Sequence, residues 1–276
     1  MFASKASPSF TDMSEQPNAS LLPWIDQANV DESSLTPEQR SWRRDGVVVL
    51  KNFLPDDLID AYINIRSQRD LVGWAHAYPY MEVPELRRLA LYRPLTALMR
   101  DLVGEELLLH LALTGWISSQ RAWHQDDYLN PPFVNGWYCA VWMALDTVAA
   151  DAGPFEYIPG SHRWPLLRGE KVRSFMTAEE LAERDGLGIN QWPKISERFV
   201  EPAIEREIEI RKQPIVPFLG QRGDVLIWHG RLMHRGSMPK DPTLLRRSLI
   251  THYSGVNHRQ DMPNRAEEDG SIYAVF

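Results

Sequence analysis

The sequence of 276 residues contains a single cysteine, Cys139, which therefore has no partner for an intrachain disulfide. It also lacks any apolar stretch near the roughly 18 residues that a membrane-spanning helix needs. The first 20 residues lack the apolar run of a secretory signal. These absences predict a soluble protein with no membrane partner, located in the reducing environment of the cytoplasm. The apolar surroundings of Cys139 indicate that its thiol serves in packing.

Clustered positive charge is also scarce. The formal net charge at pH 7 is -7, and Lys and Arg occur singly or in pairs. No basic stripe can neutralise a phosphate backbone, so nucleic acid is not an expected partner. A small-molecule substrate is expected instead, and the sequence leaves open whether the protein is a monomer or a homodimer. No internal repeat of roughly 20 to 50 residues is visible, which excludes solenoids and propellers.

The chain is expected to divide into a short arm and one domain. Residues 1–34 are rich in Ser, Pro, Asn and Asp and show no sustained periodicity, which predicts a flexible N-terminal arm or a strap laid over the surface. Trp24 and Ile25 are its candidate anchors. The full sequence has 43% hydrophobic residues, which is enough to bury one core, so we predict a single catalytic domain at residues 35–276.

Helical patterns precede strand patterns along the chain. Thr36 and Gln39 form a capping-box pattern that begins a helix, and this helix ends near Gly46. Further helices are predicted at residues 54–69 and 94–102, and a short strand at residues 47–50. From residue 107 onward, apolar runs separated by turn-forming residues predict six strands. They cover residues 107–115, 137–145, 155–158, 215–219, 225–228 and 248–253.

This order predicts an α+β protein that is mainly β, with the strands arranged as a closed sheet. The interval at about residues 166–213 is too long and too charged for an ordinary turn. We therefore expect it to be an insertion over one mouth of the barrel. A capping pattern within it predicts a helix at residues 177–184.

A candidate metal-binding motif lies at residues 123–126, with the sequence WHQD. Residues two apart in an extended segment project to the same side, so His124 and Asp126 can reach one ion without a bend in the backbone. A single His-x-Asp pair can also arise by chance, or as a hydrogen-bonded pair in a core. The neighbouring motifs therefore decide between these interpretations.

Two further histidines, His229 and His234, follow a β-like run at residues 223–228. Either would complete a set of two histidines and one carboxylate. Such a set on one face of an octahedron leaves three positions open for a chelating co-substrate and O2, and it is typical of non-haem Fe(II) oxygenases.

An arginine pair, Arg246 and Arg247, lies shortly after the second histidine. A dicarboxylate co-substrate that chelates iron at one end needs a cation at the other end. Arginine offers a planar, bidentate partner for that carboxylate. The arginine pair thus supports the interpretation of the histidines as iron ligands.

These motifs resemble those of the phytanoyl-CoA dioxygenase family of Fe(II)- and 2-oxoglutarate-dependent oxygenases. The resemblance spans roughly residues 37–255 and is carried by residues 45–50 and 53–54, 123–126, 153–162, and 223–253. It implies a double-stranded β-helix (jelly-roll, cupin-like) barrel with the N-terminal helices packed outside. It also implies Fe(II) held by two histidines and an aspartate, and oxidative decarboxylation of 2-oxoglutarate by O2 to succinate and CO2.

The resemblance also selects among the candidate residues. The second iron histidine of the family is followed by a small residue and Ser, which fits His234 before Gly236 and Ser237 better than it fits His229. The family's carboxylate-binding arginine lies some dozen residues further on, which favours Arg246. Trp142 matches a tryptophan that lines the co-substrate site, and an ordinary core aromatic is the alternative for it.

Hydroxylation of an unactivated C–H bond in a small metabolite is the expected reaction. Halogenation is disfavoured, because related halogenases replace the carboxylate ligand with a small residue and Asp126 retains it. Desaturation, cyclisation, epimerisation and demethylation would use the same ligands. A non-catalytic, cupin-like binding barrel and a zinc hydrolase are the alternatives from other classes. His110 and His252 are interpreted as core histidines, and His162 with Arg163 as turn-stabilising residues.

Overall fold

A computed structural model describes residues 7–181 and 192–276 of the chain. The labelled α-helices are α1 (Phe10–Met13), α2 (Pro37–Asp45), α3 (Asp56–Arg66), α4 (Pro84–Ala90), α5 (Arg93–Val103), α6 (Gly169–Ser174) and α7 (Trp192–Arg211). The strands are β1 (Ser14–Glu15), β2 (Val47–Leu50), β3 (Leu107–Leu113), β4 (Tyr138–Ala144), β5 (Phe155–Tyr157), β6 (Leu166–Leu167), β7 (Val216–Phe218), β8 (Val225–His229), β9 (His234–Gly236), β10 (Ser248–Gly255), β11 (Arg265–Glu268) and β12 (Ser271–Ala274).

The largest sheet has seven strands in the order β11-β12-β3-β10-β4-β8-β2. Its central strands pair antiparallel, and β12 alone joins its neighbour β3 in parallel. Because side chains alternate across a strand, the sheet has two distinct faces. Tyr138, Ala140 and Trp142 of β4 lie on one face, and Cys139 and Val141 lie on the other.

The outer face of this sheet packs against helices α2 to α5, which together form the main hydrophobic core. Helix α2 begins with a capping box between Thr36 and Gln39 and ends at Gly46, whose φ of 72° suits the left-handed end of a helix. The ring of His162 lies so close to Gly46 that a Cβ atom would not fit there. Local sequence and tertiary packing thus both require glycine at this position.

The inner face of the large sheet packs against a second sheet of three strands, in the order β7-β5-β9. Trp142 and Trp228 from the large sheet meet Phe155 and Phe218 from the small one in a separate hydrophobic cluster. The interior between the two sheets is the region into which the predicted metal ligands project.

A third hydrophobic cluster joins the N-terminal stretch to the interval expected as an insertion. Helix α1 packs against α6 and α7, and β1 pairs with β6. Phe10 and Met13 are buried there beside Trp123 and Met233, which adjoin the predicted ligands His124 and His234. The division of the chain into a flexible arm and a single domain with an insertion stays a prediction.

The mixed α and β composition and most of the predicted elements are confirmed. The missed elements are α1, α4, α6, α7, β1, β6, β9 and the β11-β12 hairpin. Helix α7 contains Pro202, and the other elements are short or weakly patterned. A helical segment does begin after Thr177, whose hydroxyl caps the backbone N–H of Glu180, and the predicted end of that helix lies outside the described residues. Closure of the sheets into a barrel stays a prediction. Every helix in the described ranges is too short or too polar to cross a lipid bilayer.

Candidate metal centre

His124 and Asp126 lie on one side of the chain, as their spacing predicts. Gln125 between them has an extended backbone, and its side chain points away and donates to the carbonyl oxygen of Arg231 at 3.1 Å. Its amide oxygen accepts from the backbone N–H of Leu167 at 3.1 Å. These bonds hold the Gln125 side chain on one side of the backbone, so the side chains of His124 and Asp126 point to the other side.

His234 is brought to this pair by backbone hydrogen bonding across the molecule. The N–H of each residue of the His124–His234 pair donates to the carbonyl oxygen of the other, at 3.0 Å in both directions. Such an exchange places two residues directly opposite each other on antiparallel strands. The two imidazole rings lie with their centroids 4.2 Å apart.

The three side chains form a compact donor cluster. His124 Nε2 lies 3.5 Å from Asp126 Oδ1, and His234 Nε2 lies 3.6 Å from the same oxygen. One ligand atom from each residue lies within 4.8 Å of the others. Two histidines and one carboxylate converging on one point are the donor set of the non-haem iron facial triad.

The backbone orients both imidazole rings. The Nδ1 atom of His124 hydrogen bonds to the carbonyl oxygen of Ala122 at 2.7 Å, and that of His234 to the carbonyl oxygen of Leu232 at 2.9 Å. Each ring therefore carries its proton on Nδ1 and leaves Nε2 free to bind a metal.

The ionisation states also fit a metal site. Burial lowers the pKa of His234 to about 3, so its ring is neutral at pH 7. Burial alone would raise the pKa of Asp126, but the adjacent His234 and His124 outweigh it and lower that pKa below its usual range. A neutral imidazole and an ionised carboxylate are the forms that bind metal.

Trp228 is a neighbour of the cluster that the sequence motifs did not reveal. Its indole Nε1 donates to Asp126 Oδ2 at 2.9 Å, on the side of the carboxylate away from the histidines. Phe155 stacks on His234 with ring centroids 5.1 Å apart. The inward position of Trp228 on β8, two residues after Leu226, is the signal that could have identified it.

His229 does not join the cluster. Its Nε2 pairs with Asp26 of the N-terminal stretch at 3.1 Å, and its Nδ1 accepts from the backbone N–H of Arg231 at 3.0 Å. Strand alternation turns its side chain away from the face that carries Trp228. The geometry thus agrees with the choice of His234, while the metal-ligand roles stay predictions.

Arg246 and Arg247 point in different directions. Arg246 is buried and donates through Nη1 to the carbonyl oxygen of Gly153 at 2.8 Å, while its Nε has no partner among the described residues. Burial lowers its pKa to about 10, so it remains charged at pH 7. Arg247 is half-exposed and pairs with Asp146 at 3.4 Å. The Nε of Arg247 also lacks a partner among the described residues, but of these two arginines only Arg246 is buried.

Trp142 lies near Arg246 on the inner face of the large sheet. The Arg246 Cζ is 6.0 Å from the centroid of the Trp142 ring, and Phe218 meets that ring edge-on at 5.4 Å. The indole Nε1 of Trp142 is buried without a partner in the part of the chain that the structure describes. Its proposed place in a co-substrate wall stays a prediction.

The remaining residues near the motif have structural partners. Asp127 forms a buried ion pair with Arg231 at 3.1 Å. His162 Nε2 and Arg163 Nη1 lie 3.2 Å and 2.9 Å from the carbonyl oxygen of Arg43, near the end of α2, which agrees with their interpretation as turn-stabilising residues. His252, interpreted from sequence as a core histidine, lies with Nδ1 only 4.0 Å from Asp126 Oδ2.

The fold and the site define a mixed α and β protein with a His-Asp-His metal-binding triad between two sheets. The family model described as Phytanoyl-CoA dioxygenase (PhyH) matches residues 79–239, which is more than half of the chain. The chain belongs to this family. No curated protein sequence matches the chain.

Solved structures of similar fold carry the ligands that the motifs suggest. The epimerase SnoN in complex with Fe3+, alpha ketoglutarate and nogalamycin RO is 21% identical, with a TM-score of 0.59 over 82% of this chain and 85% of that one. EctD from S. alaskensis with 2-oxoglutarate and 5-hydroxyectoine is 19% identical, with a TM-score of 0.58 over 97% and 90%. HygX from Streptomyces hygroscopicus, with nickel and 2-oxoglutarate bound, is 19% identical, with a TM-score of 0.54 over 81% and 88%. These likenesses show a shared fold.

Proposed function

We propose that the protein is an Fe(II)- and 2-oxoglutarate-dependent dioxygenase that hydroxylates a C–H bond of a small metabolite. The observation that carries this proposal is the convergence of His124, Asp126 and His234 within 4.8 Å of one another. Membership of the PhyH family and the iron and 2-oxoglutarate in the similar structures support it. A double-stranded β-helix, formed by the two facing sheets, is the proposed architecture.

The residues present fit the proposed ligands. His124 and His234 would bind iron through Nε2, and Asp126 through Oδ1, since its Oδ2 accepts from Trp228. Arg246 would bind the distal carboxylate of 2-oxoglutarate through the donors that its bond to Gly153 leaves free. Iron and 2-oxoglutarate together would supply oxidative decarboxylation with O2, giving succinate, CO2 and an oxidised substrate.

The protein's own contribution is to position these groups and to exclude water from them. Asp126 and His234 are buried, and Phe155 and Trp228 cover the second histidine with their rings. An apolar enclosure of this kind strengthens electrostatic contacts inside it and limits unproductive side reactions.

The test is 2-oxoglutarate turnover by the full chain. Purified protein should release succinate only when Fe(II), 2-oxoglutarate and O2 are all present, and mass spectrometry of a stimulating metabolite should show a gain of one oxygen atom. A product that has lost two hydrogens, or an inverted centre of unchanged mass, would replace hydroxylation with desaturation or epimerisation. Absence of succinate under every condition would favour a non-catalytic barrel, and hydrolysis supported by Zn(II) would favour a hydrolase.

A further inference from the structure

Polar side chains line the inner faces of β3, β4 and β10 beside Asp126, where the proposed iron and 2-oxoglutarate contacts give them no role. His252 Nδ1 lies 4.0 Å from Asp126 Oδ2 and hydrogen bonds to the Tyr138 hydroxyl. The Tyr138 ring lies 5.8 Å from the ring of His110, centroid to centroid. His110 Nε2 in turn hydrogen bonds to Ser254 Oγ at 2.9 Å. The contacts thus run continuously away from the metal cluster.

The same contacts return to the metal cluster through Arg259. Its Nη1 donates to Ser254 Oγ and to Asn130 Oδ1, each at 3.3 Å. The side-chain amide of Asn130 then donates to the backbone carbonyl oxygen of Asp126 at 3.2 Å. The contacts therefore begin at the Asp126 carboxylate and end at the Asp126 backbone. We refer to the six side chains that link these two points as the polar ring: His252, Tyr138, His110, Ser254, Arg259 and Asn130.

Five of these six side chains are buried, with exposures between 0% for Ser254 and 8% for His110 and His252. Buried polar groups destabilise a fold unless they are hydrogen bonded. His252 Nε2 has no partner among the described residues, and this is true of either tautomer, since Nδ1 is used by Tyr138. The imidazole of His252 can therefore form one further hydrogen bond, through Nε2, beside the proposed metal site.

The polar ring presents dipoles rather than net charge. The guanidinium of Arg259 is paired with both oxygens of Asp261, at 3.0 Å from Nε and 2.9 Å from Nη2. His252 and His110 each hydrogen bond to an uncharged hydroxyl group, that of Tyr138 and that of Ser254 respectively. A carboxylate would find no free cation in the ring, and an ammonium group would find no free anion. A neutral group with oxygen atoms matches the hydroxyl and imidazole groups best.

We propose that the polar ring recognises the primary substrate, and that this substrate is a neutral small molecule with hydroxyl or carbonyl oxygens near the carbon that reacts. The inference rests on the proposed function, because it places the substrate beside the same iron. A plain hydrocarbon chain would leave the buried Nε2 of His252 without a partner, which costs about 1–3 kcal/mol. The ring thus selects against an acyl chain at this position.

Three probes of equal chain length can test the preference. Hexane-1,2-diol, hexanoate and hexylamine are titrated anaerobically into the full-length protein loaded with Fe(II) and saturating 2-oxoglutarate. The readout is the change that each probe causes in the visible charge-transfer band of the chelate. The diol should half-saturate at a concentration at least about 10-fold lower than either charged probe, which corresponds to about 1.4 kcal/mol.

Variants identify the residues that contact the probe. Tyr138→Phe, His252→Phe and the smaller change Ser254→Ala should each raise the half-saturating concentration of the diol by about 5-fold, the equivalent of one hydrogen bond. Tyr253→Phe is the matched control, because its buried hydroxyl donates to Ala90 on the opposite face of β10. The melting temperature of each variant reports any general loss of stability.

Each outcome has a defined meaning. The proposal is overturned if a charged probe half-saturates at the same or a lower concentration than the diol, or if no probe alters the band. It is also overturned if all three ring variants bind the diol as tightly as the wild type does. The same holds if Tyr253→Phe weakens diol binding as much as Tyr138→Phe does. Failure of the chelate band to form in the wild-type protein would instead contradict the proposed function, since that band requires no substrate.

Discussion

The indole Nε1 of Trp228 donates a hydrogen bond of 2.9 Å to Asp126 Oδ2, so the other carboxylate oxygen alone faces His124 and His234. A carboxylate can rotate and present either oxygen, or both, to a metal. The indole removes this freedom before any metal arrives, because it is buried and packed against Phe155. Preorganisation of a ligand by such a partner increases metal affinity.

Trp228→Phe should therefore weaken Fe(II) binding by about 10- to 100-fold while the fold remains intact. Anaerobic competition with a chromophoric chelator measures the dissociation constant, and circular dichroism reports the fold. Trp42→Phe, which alters an equally buried tryptophan on the other side of the sheet, is the control. Equal iron affinity in the wild type and Trp228→Phe would show that the hydrogen bond does not tune the site.

The metal-ligand assignment predicts about one Fe(II) per chain and its loss in His124→Ala, Asp126→Ala and His234→Ala. Each variant should remain folded, because the hydrogen bonds that join residues 124 and 234 are made by the backbone and do not depend on these side chains. Metal analysis after gel filtration measures the stoichiometry, and succinate release measures turnover. Full activity in any one of the three variants would refute the assignment.

His229→Ala should show the opposite pattern, with normal iron content and lower stability. The substitution removes the hydrogen-bond donor of Asp26, whose carboxylate is only 9% exposed, and leaving such an acceptor without its partner costs about 1–3 kcal/mol. Urea unfolding of the iron-free protein measures this cost. The double variant Asp26→Asn/His229→Ala should recover part of it, because no charge is then left unpaired. Loss of iron from His229→Ala, with iron retained by His234→Ala, would exchange the two assignments.

Arg246→Ala should weaken 2-oxoglutarate binding by roughly 30-fold or more, the equivalent of about 2 kcal/mol for truncating a buried charge pair. Arg246→Lys keeps the charge but loses the planar fork, so it should fall between the wild type and the alanine variant. Anaerobic titration of 2-oxoglutarate through the chelate absorption band measures the affinity. Arg247→Ala is the matched control, and a shift confined to that variant would move the role to the half-exposed neighbour.

The buried ring of His162 should make the protein sensitive to acid. Burial lowers its pKa to about 3, below the value of about 6.5 expected in the unfolded chain. As the pH falls below about 6.5, the unfolded chain takes up a proton that the folded chain does not, so the free energy of unfolding decreases. Between pH 7 and pH 4, His162→Gln should lose less of its free energy of unfolding than the wild type does, by up to about 3 kcal/mol. Urea unfolding of the iron-free protein at both pH values measures this, with His76→Gln, at a partly exposed ring, as the control. An equal loss in the wild type and His162→Gln would contradict the prediction.

The sequence by itself determined the features that depend on neighbouring residues. The capping box of α2, its end at Gly46 and the common orientation of His124 and Asp126 follow from local backbone preferences and from the alternation of extended chain. The motifs with fixed spacing also sufficed to indicate the family that the family model confirms. These signals are short-range, so they can be read without knowledge of the rest of the fold.

The tertiary structure alone decided which distant residues meet. The backbone exchange between His124 and His234, the bond from Trp228 to Asp126, and the burial of Arg246 beside a half-exposed Arg247 all depend on strand register. The closeness of His252 to Asp126, which sequence reasoning treated as a core position, has the same origin. A shift of one residue in register reverses the face on which every side chain of a strand lies. Register is set by packing between strands far apart in the chain, and a single sequence carries no direct record of that packing.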